Sequence, residues 1–375
     1  MVYMRICFVS DKLISYFSDE DLSPGGSERQ QFALMNELHD LGFVISMISG
    51  NVDIKDGLPP DWVNIYNLIN YSSGIIAGIQ KIFQLYRGFM MSDANIYYVQ
   101  GNPWLLILTA IYKTLVNKWL IYHVASDLHI FPQLQSSKQR WIVVYLYNYF
   151  IRRADLVYCQ SKSQKKCLSE VHGVDAEILK FTEDKLIYDH QQNCISFDST
   201  KYKNNIIWVG RVVEEKQPEI FMKLPELLPE YHFQLVGPSA GNYQKQLRAL
   251  AANLDNFDYL GAVNKNKVVE IFSDSDLLIS TQPYSDVPLV VIEAWLSGIP
   301  VISAHESFFD NGMEFKVGIR GDGQIQSLTY NIRYLMENDL ERHEMGNYAR
   351  NYALGRYSQV EAARTIFSDV KSLLN

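Results

Sequence analysis

Short apolar segments alternate with amphipathic segments along the whole chain, and this alternation restricts the fold more than any other feature. The apolar segments have the length of strands, and the segments between them have the periodicity of helices. Strands that are separated by helices pair in parallel, and helices then cover both faces of the sheet. We predict strands at 5–10, 44–49, 96–99, 119–123, 156–160, 206–209, 233–236, 277–280 and 301–303. The sequence therefore predicts the α/β class.

The chain is long enough for two domains. Its 375 residues exceed what a single core usually supports. The segment 182–203 is polar and lacks clear periodicity, so we interpret it as the connection between the two series of strands. We predict a Rossmann-like domain at 1–182, a second at 183–357 and a final helix at 358–375. Ligands of such sheets bind at the carboxyl ends of the strands, so the two domains are expected to face each other across a cleft.

Composition excludes several classes of protein. Hydrophobic residues make up 47% of the chain and charged residues 20%, which is ordinary for a globular enzyme. The formal net charge of -8 argues against a nucleic acid as the main partner. The four cysteines show no metal-site spacing, which favours a reducing cytosol. The start shows no signal-peptide pattern, and the apolar stretch 104–112 is about half as long as a membrane-spanning helix. The protein is therefore expected to be cytoplasmic.

Two cations follow the strand at 206–209. Gly210 ends this strand, and Arg211 and Lys216 lie in the loop that leads to the next helix. Cations at the carboxyl end of a strand, beside a helix start, suit a diphosphate, because Arg can hold two oxygens and Lys adds a compact charge. The alternative is a solvated loop whose charges pair with Glu214 and Glu215. The downstream sequence favours the phosphate interpretation.

A short helix further along the chain carries Glu293. Pro288 suits a helix start, Gly298 suits its end, and apolar residues recur between them at helical spacing. The first N–H groups of such a helix, near Leu289 and Val290, can bind phosphate oxygens. Glu293 lies within the first two turns, from which it could reach a ligand at the helix start; the alternative is a surface residue that is favoured near the positive helix end.

These segments together resemble the retaining, nucleotide-sugar-dependent glycosyltransferases of family 4 (glycosyl transferases group 1), which have the GT-B fold of two Rossmann-like domains. The resemblance covers nearly the whole chain, and the order and spacing of the segments make it specific. The segments are the first strand at 5–10, the glycine loop with Gly25 and Gly26, 152–161, the loop of Arg211 and Lys216, 233–237, 259–263, 272–280 and the helix of Glu293.

The resemblance implies a reaction. A sugar is moved, with retention of its anomeric configuration, from a nucleoside diphosphate sugar to a glycan or lipid-linked saccharide in polysaccharide or glycoconjugate biosynthesis. Arg211 and Lys216 would stabilise the diphosphate leaving group, so neither a cofactor nor a metal is expected. Glu293 would accept hydrogen bonds from the ribose. The donor would also contact Gly25, Gly26, Gly210, Gly237, Pro288, Leu289 and Val290. The family also implies that the final helix crosses back onto the first domain.

The sequence departs from the family pattern at Ser285. The family usually has a second Glu eight positions before Glu293, where it contacts the transferred sugar, and this chain has Ser285 followed by Asp286. Either Asp286 or the Ser285 hydroxyl binds the sugar, or the donor sugar differs, or activity is lost. We favour an altered sugar contact, because the phosphate and ribose elements remain.

The strand at 119–123 leads to two further candidates. The family often places a catalytic-site His, or a His–Asp pair, after this strand. His123 ends the strand and Asp127 lies in the following loop, so both are candidate catalytic residues. The alternative for a lone His is a structural role.

Two weaker interpretations stay open. Asp274 and Asp276 resemble a metal-binding pair, but they lie between a helix and a strand instead of after a strand, which disfavours a metal site. The aromatic, basic segment 140–153 is expected to pack ordinarily, and the alternative is a face toward the inner surface of a membrane. The rival functions are a nucleotide-sugar epimerase or phosphorylase on the same fold, or a catalytically silent partner subunit of a glycosyltransferase.

Overall fold

The computed structural model describes residues 4–11, 13–17, 26–50, 60–67, 75–125, 130, 141–181, 204–283, 287–305 and 316–374. The chain divides into two compact units. The first comprises Met1–Glu183 together with Gln359–Asn375, and the second comprises Asp184–Ser358. Each unit contains its own sheet and its own core, so each is described by itself below.

The first unit is built on a seven-stranded parallel sheet. Its strands are β1 (Arg5–Ser10), β2 (Val44–Ser49), β3 (Val63–Asn67), β4 (Ile96–Gln100), β5 (Trp119–His123), β6 (Leu156–Cys159) and β7 (Glu177–Ile178). They are ordered β3-β2-β1-β4-β5-β6-β7. All residues of β4 are buried, because helices cover both faces of the sheet. Tyr97 and Tyr98 of β4 consequently point into different cores on opposite faces.

Helices form a layer on each face of this sheet. They are α1 (Gly26–Asp40), α2 (Ile75–Ser92), α3 (Pro103–Val116), α4 (Trp141–Ile151) and α5 (Lys162–Glu170), and the final helix of the chain, Gln359–Leu374. One layer contains α2 to α5. The other contains α1 and the final helix, whose Ala363, Ile366 and Val370 are buried in the same core as Leu34 and Leu38 of α1.

The second unit repeats the arrangement with six parallel strands. They are β8 (Asn205–Val209), β9 (His232–Val236), β10 (Phe257–Gly261), β11 (Leu277–Ser280), β12 (Val301–Ser303) and β13 (Gly318–Arg320), in the order β10-β9-β8-β11-β12-β13. The helices are α6 (Pro218–Met222), α7 (Leu224–Leu227), α8 (Gly241–Asn253), α9 (Lys265–Ser273), α10 (Leu289–Leu296), α11 (Ile325–Glu337) and α12 (Asp339–Arg356), and the final helix of the first unit is α13.

The nine predicted strands are all present, with bounds that differ from the prediction by no more than one residue. Four strands were not predicted: β3, β7, β10 and β13. These four are the edges of the two sheets. Edge strands pair on one side only and need no continuous apolar run, so the pattern that identifies a central strand is missing.

Each sheet has one point at which the strand order reverses direction. In the second unit this point lies between β8 and β11, and in the first between β1 and β4. Ligands of doubly wound sheets bind outside the carboxyl ends of the strands at such a point. The loops after β8 and β11 are therefore where a ligand of the second unit is expected.

Among the helices that the structure describes, none has both the length and the apolar character that a membrane crossing requires.

Candidate active site

The loop after β8 folds back over the end of its own strand. Gly210 has a φ of 154°, and a Cβ built on it would lie 2.9 Å from the Nζ atom of Lys216. Lys216 lies in a single 3-10 turn, Glu214–Lys216, and its side chain returns to the strand end that Gly210 leaves open. The glycine therefore makes room for the lysine ammonium at the carboxyl end of β8.

Gly237 follows β9 and lies directly against the backbone at the end of β8. Its φ is 139°, and an added Cβ would lie 1.8 Å from the carbonyl oxygen of Gly210. The Gly210 N–H donates to the Val236 carbonyl at 2.9 Å, and the Gly237 N–H donates to the Gly261 carbonyl at 2.7 Å. The backbones of β8 and β9 thus meet without side chains between them. This close approach requires a glycine at position 237, because an added Cβ would collide with a backbone atom.

The charges of Arg211 and Glu293 both act on the ammonium group of Lys216. Burial lowers the pKa of the Lys216 ammonium, the positive charge of Arg211 lowers it further, and the negative charge of Glu293 raises it. Lys216 is half-buried, Arg211 is exposed and Glu293 is buried. The fold therefore brings together three residues that are up to 82 positions apart in the chain. Two cations that repel each other in a partly buried site are stabilised by a bound anion.

Helix α10 carries Glu293, one of the three residues of this cluster. Pro288 is the N-cap and Leu289 the first helical residue, so Pro288 precedes the first turn instead of lying within it. The Val291 N–H donates to the Pro288 carbonyl at 3.0 Å. The N–H groups of Leu289 and Val290 therefore come before the first hydrogen bonds of the helix, and Pro288 has none to offer. Glu293, one turn further on, is buried.

Thr281 connects the lysine loop to the end of β11, and sequence reasoning missed it. The Trp208 Nε1–H donates to the Thr281 Oγ1 at 2.9 Å, and the Thr281 hydroxyl donates to the Lys216 carbonyl. Thr281 is buried and directly follows β11. The position of Thr281 directly after a strand is visible in the sequence. That β11 is the neighbour of β8 is not, and without it Thr281 cannot be assigned to the site.

A second link holds the residue after Lys216. Gln217 has a φ of 48° and precedes α6. Its Oε1 lies 2.7 Å from the Nε2 of His305, and the Ser303 hydroxyl donates to the His305 carbonyl at 2.8 Å. Ser303 ends β12. The loop after β8 is thus anchored to the ends of both β11 and β12. These anchors restrict the positions that the Lys216 side chain can occupy.

The candidates of the first unit are placed differently. Gly26 opens α1, whose Gln30 is buried and donates through Nε2 to the Phe181 carbonyl at 2.7 Å. His123 is fully buried, and its Nδ1 lies 2.8 Å from the Tyr98 hydroxyl. Burial lowers its pKa to about 4, and a backbone hydrogen bond with Leu179 opposes that shift, so the ring is neutral at physiological pH. This placement is typical of a structural histidine, and its catalytic role stays a prediction.

Four candidate residues lie outside the described part of the chain. They are Gly25, Asp127, Ser285 and Asp286. The proposed roles of these residues, including the sugar contact assigned to Ser285 or Asp286, stay predictions.

Asp274 and Asp276 both make hydrogen bonds with Asn205 at the start of β8. The Asp276 Oδ2 accepts from the Asn205 N–H at 3.0 Å, and the Asp274 carbonyl accepts from the Asn205 Nδ2 at 2.9 Å. Both residues precede β11, so they lie at the amino ends of the strands, at the opposite edge of the sheet from Lys216. Among the residues that the structure describes, no three His, Cys, Asp or Glu side chains come together as a metal site.

The second unit matches a known protein family. Residues 192–352 match the family model of Glycosyl transferases group 1. The chain is 22% identical to the O-antigen biosynthesis glycosyltransferase WbnH of Escherichia coli over 236 residues. The aligned region makes up 61% of this chain and 65% of that protein. Alignments with two other curated relatives span 54% and 29% of their lengths. The chain thus covers less than two thirds of these relatives.

Solved structures share the fold of the whole chain. The sucrose-phosphate synthase of Thermosynechococcus elongatus superposes with a TM-score of 0.81 at 16% identity and covers 99% of both chains. HepE of Anabaena, solved in complex with UDP and glucose, superposes with a TM-score of 0.73 at 17% identity, over 99% of this chain and 100% of that one. The predicted fold class is confirmed: two parallel-sheet Rossmann-like domains of the GT-B type.

Replacing Thr281 by valine tests the link from β11 to Lys216. Valine keeps the volume but leaves the Trp208 N–H and the Lys216 carbonyl without their shared partner. We expect the free energy of unfolding to fall by about 1–3 kcal/mol, because buried polar groups lose a hydrogen bond. We also expect kcat to fall by roughly ten- to a hundredfold, because the ammonium is displaced. Thr281→Ser keeps the hydroxyl and should restore kcat; equal turnover of the valine and serine variants would contradict a positioning role.

Proposed function

We propose that the chain is a retaining glycosyltransferase of family 4 that moves a sugar from a nucleoside diphosphate sugar to a glycan or lipid-linked saccharide. The observation that carries the proposal is the cluster of Lys216, Arg211 and Glu293 at the end of β8. It lies in the part of the chain that matches the Glycosyl transferases group 1 model, at the point where the strand order reverses. The donor is assigned to this second unit and the acceptor to the first.

The chemistry of the leaving group fits this cluster. Breaking the bond between the anomeric carbon and the diphosphate leaves negative charge on the diphosphate oxygens. Lys216 and Arg211 supply two positive charges there, and the N–H groups of Leu289 and Val290 add dipoles of the same sense. Because Lys216 is half-buried, its charge is screened less than that of a fully solvated lysine. The Glu293 carboxylate is assigned to the ribose hydroxyls of the donor.

Related proteins support the substrate class. HepE of Anabaena has been solved with UDP and with UDP-glucose, and the name of WbnH assigns it to O-antigen biosynthesis. A nucleoside diphosphate sugar as donor and a polysaccharide precursor as acceptor are therefore the substrates that we propose for this chain.

The proposal is tested in two stages. A thermal-shift screen with UDP, GDP and ADP sugars, and with CMP sugars as nucleoside monophosphate controls, identifies the donor, because a ligand that binds only the folded state raises the Tm. The selected donor is then incubated with saccharide acceptors, and the anomeric configuration of the product is read by NMR. Retention supports the proposal, and inversion contradicts it. Epimerised donor without acceptor identifies an epimerase, and binding without hydrolysis or transfer identifies a silent subunit.

Removal of metal ions should leave the activity unchanged. In the proposed site Lys216, Arg211 and the start of α10 take the place of a divalent cation beside the diphosphate. We expect kcat in excess EDTA to equal kcat in Mg²⁺, measured with the selected donor. A loss of donor binding on chelation that Mn²⁺ or Mg²⁺ restores would instead require a carboxylate–metal mechanism.

A further inference from the structure

Helix α2 has an apolar stripe that faces away from the core. Its members are Ile79, Ile82, Phe83, Tyr86 and Met90, all of them exposed, with 69% of Phe83 accessible to solvent. Their spacing places them on one side of the helix, whereas the buried Leu85 and Phe89 lie on another. A surface helix normally carries polar residues on its outer side. The core therefore does not account for this stripe.

The neighbouring helices continue the apolar surface. In α3, Trp104, Ile111 and Leu115 are exposed at helical spacing, with 72% of Leu115 accessible. In α4, Tyr145 and Tyr149 are exposed.

The three helices belong to one layer. Leu85 of α2, Ala110 of α3 and Tyr147 of α4 are buried in the same core. The rings of Phe89 in α2 and Tyr112 in α3 also stack, with centroids 4.6 Å apart. We call the exposed residues of these three helices the outer apolar face.

The chain segments that carry the outer apolar face have a net charge opposite in sign to that of the whole protein. The described segments 75–125 and 141–170 contain nine Lys and Arg but three Asp and Glu, although the formal net charge of the chain is -8. Arg87 is exposed on α2, and Lys118 is half-exposed just after α3. Arg153 lies over the ring of Tyr149, 4.0 Å from its centroid. Positive charge beside exposed apolar residues distinguishes this region from the rest of the chain.

This combination selects among possible occupants. Two copies of the chain that meet through this face would bring like charges together, which opposes association. An anionic bilayer surface offers negative headgroups for the cations and an acyl boundary for the apolar stripes. We propose that the outer apolar face of α2, α3 and α4 binds the surface of an anionic lipid bilayer. The exposed Trp104 and Tyr149 suit the level of the headgroups, because their rings are amphipathic.

Vesicle binding tests this proposal directly. The whole protein is sedimented with vesicles of phosphatidylglycerol and phosphatidylcholine, and with vesicles of phosphatidylcholine alone. We expect binding to the anionic vesicles that decreases in high salt, because the headgroup attraction is screened. Phe83→Ser combined with Leu115→Ser should weaken this binding by at least about tenfold, because two exposed apolar side chains no longer enter the interface. The Arg87→Gln and Lys118→Gln pair should reduce the preference for anionic lipid.

A matched control uses the second unit. Tyr330 and Leu340 are 70% and 64% exposed, so Tyr330→Ser with Leu340→Ser removes similar apolar surface elsewhere. This variant should bind vesicles like the wild type, and unchanged Tm values exclude misfolding of either double variant.

Absence of vesicle binding by the wild type, or equal loss of binding in both double variants, would overturn the proposal. A dimer that only the Phe83 and Leu115 changes dissociate, without vesicle binding, would assign the face to a second copy. No sugar nucleotide is needed, so the result is independent of the proposed function.

Discussion

Replacing Lys216 by alanine should lower kcat by about a hundred- to a thousandfold, the usual effect of removing one preorganised donor from a developing negative charge. The position of the side chain explains the size of the effect. Lys216 is half-buried over Gly210, and Thr281 and Gln217 hold the loop that carries it. Initial rates with the selected donor sugar give kcat and KM. The donor should still bind weakly through Arg211 and Glu293.

Lys223 provides a control for this prediction. Lys223→Ala removes an exposed lysine between α6 and α7 and should leave kcat unchanged. Arg211→Ala should resemble Lys216→Ala. Near-normal turnover of both the Lys216 and the Arg211 variants would show that the diphosphate binds elsewhere.

The pH dependence separates the two cations. The pKa of Lys216 is below its ordinary value because of burial and of the charge on Arg211. The protonated lysine is the active form, so kcat/KM should fall as the pH rises through this lowered pKa. Arg211→Ala removes a like charge and favours the protonated form, so the alkaline limb should move to higher pH. A limb that stays in place would show that Lys216 does not determine it.

Replacing Gly237 by alanine should destabilise the second unit by about 3–5 kcal/mol, which is at the upper end for a single substitution. The added Cβ would lie 1.8 Å from the Gly210 carbonyl oxygen, a backbone atom that cannot move aside as a flexible side chain can. The φ of 139° adds strain for any residue with a Cβ. Urea unfolding followed by tryptophan fluorescence measures the change, since Trp208 and Trp295 lie in the cores of this unit.

Gly355→Ala is the comparison for this experiment. Gly355 lies in α12, and an added Cβ would meet nothing within 4 Å. This substitution should stabilise the protein by about 0.5–1 kcal/mol, because alanine favours a helix over glycine. If Gly237→Ala were as mild as Gly355→Ala, the close approach of the two strand ends would not exist in solution.

The central strands could be predicted from sequence, and the edges could not. A central parallel strand is buried on both faces, so β1, β4 and β11 appear in the sequence as continuous apolar runs. An edge strand such as β10 alternates buried and exposed residues, and β13 has only three residues. Such segments become strands because they pair with a neighbouring strand, and a local sequence pattern does not predict this pairing.

Part of the candidate site was also accessible from the sequence. The sequence predicts Gly210, Arg211, Lys216 and Glu293 as site residues from their positions after a strand or within a helix start, and these are local features. The same reasoning selected His123, because a strand end is visible in the sequence. Its complete burial is not visible there, since burial depends on Tyr98 and on the Phe181 segment, which pack around it.

The sequence by itself determined the class of fold, the order of the central strands along the chain and the types of charge that follow them. Only the tertiary structure decided that β11 lies beside β8, and this neighbourhood allows Thr281 to hold the Lys216 loop. It likewise decided that α2, α3 and α4, each with exposed apolar residues, pack on the same core in one layer. The physical reason is the same in both cases. Local patterns record whether a residue prefers water or an apolar core, whereas contacts between distant segments depend on how the whole chain packs.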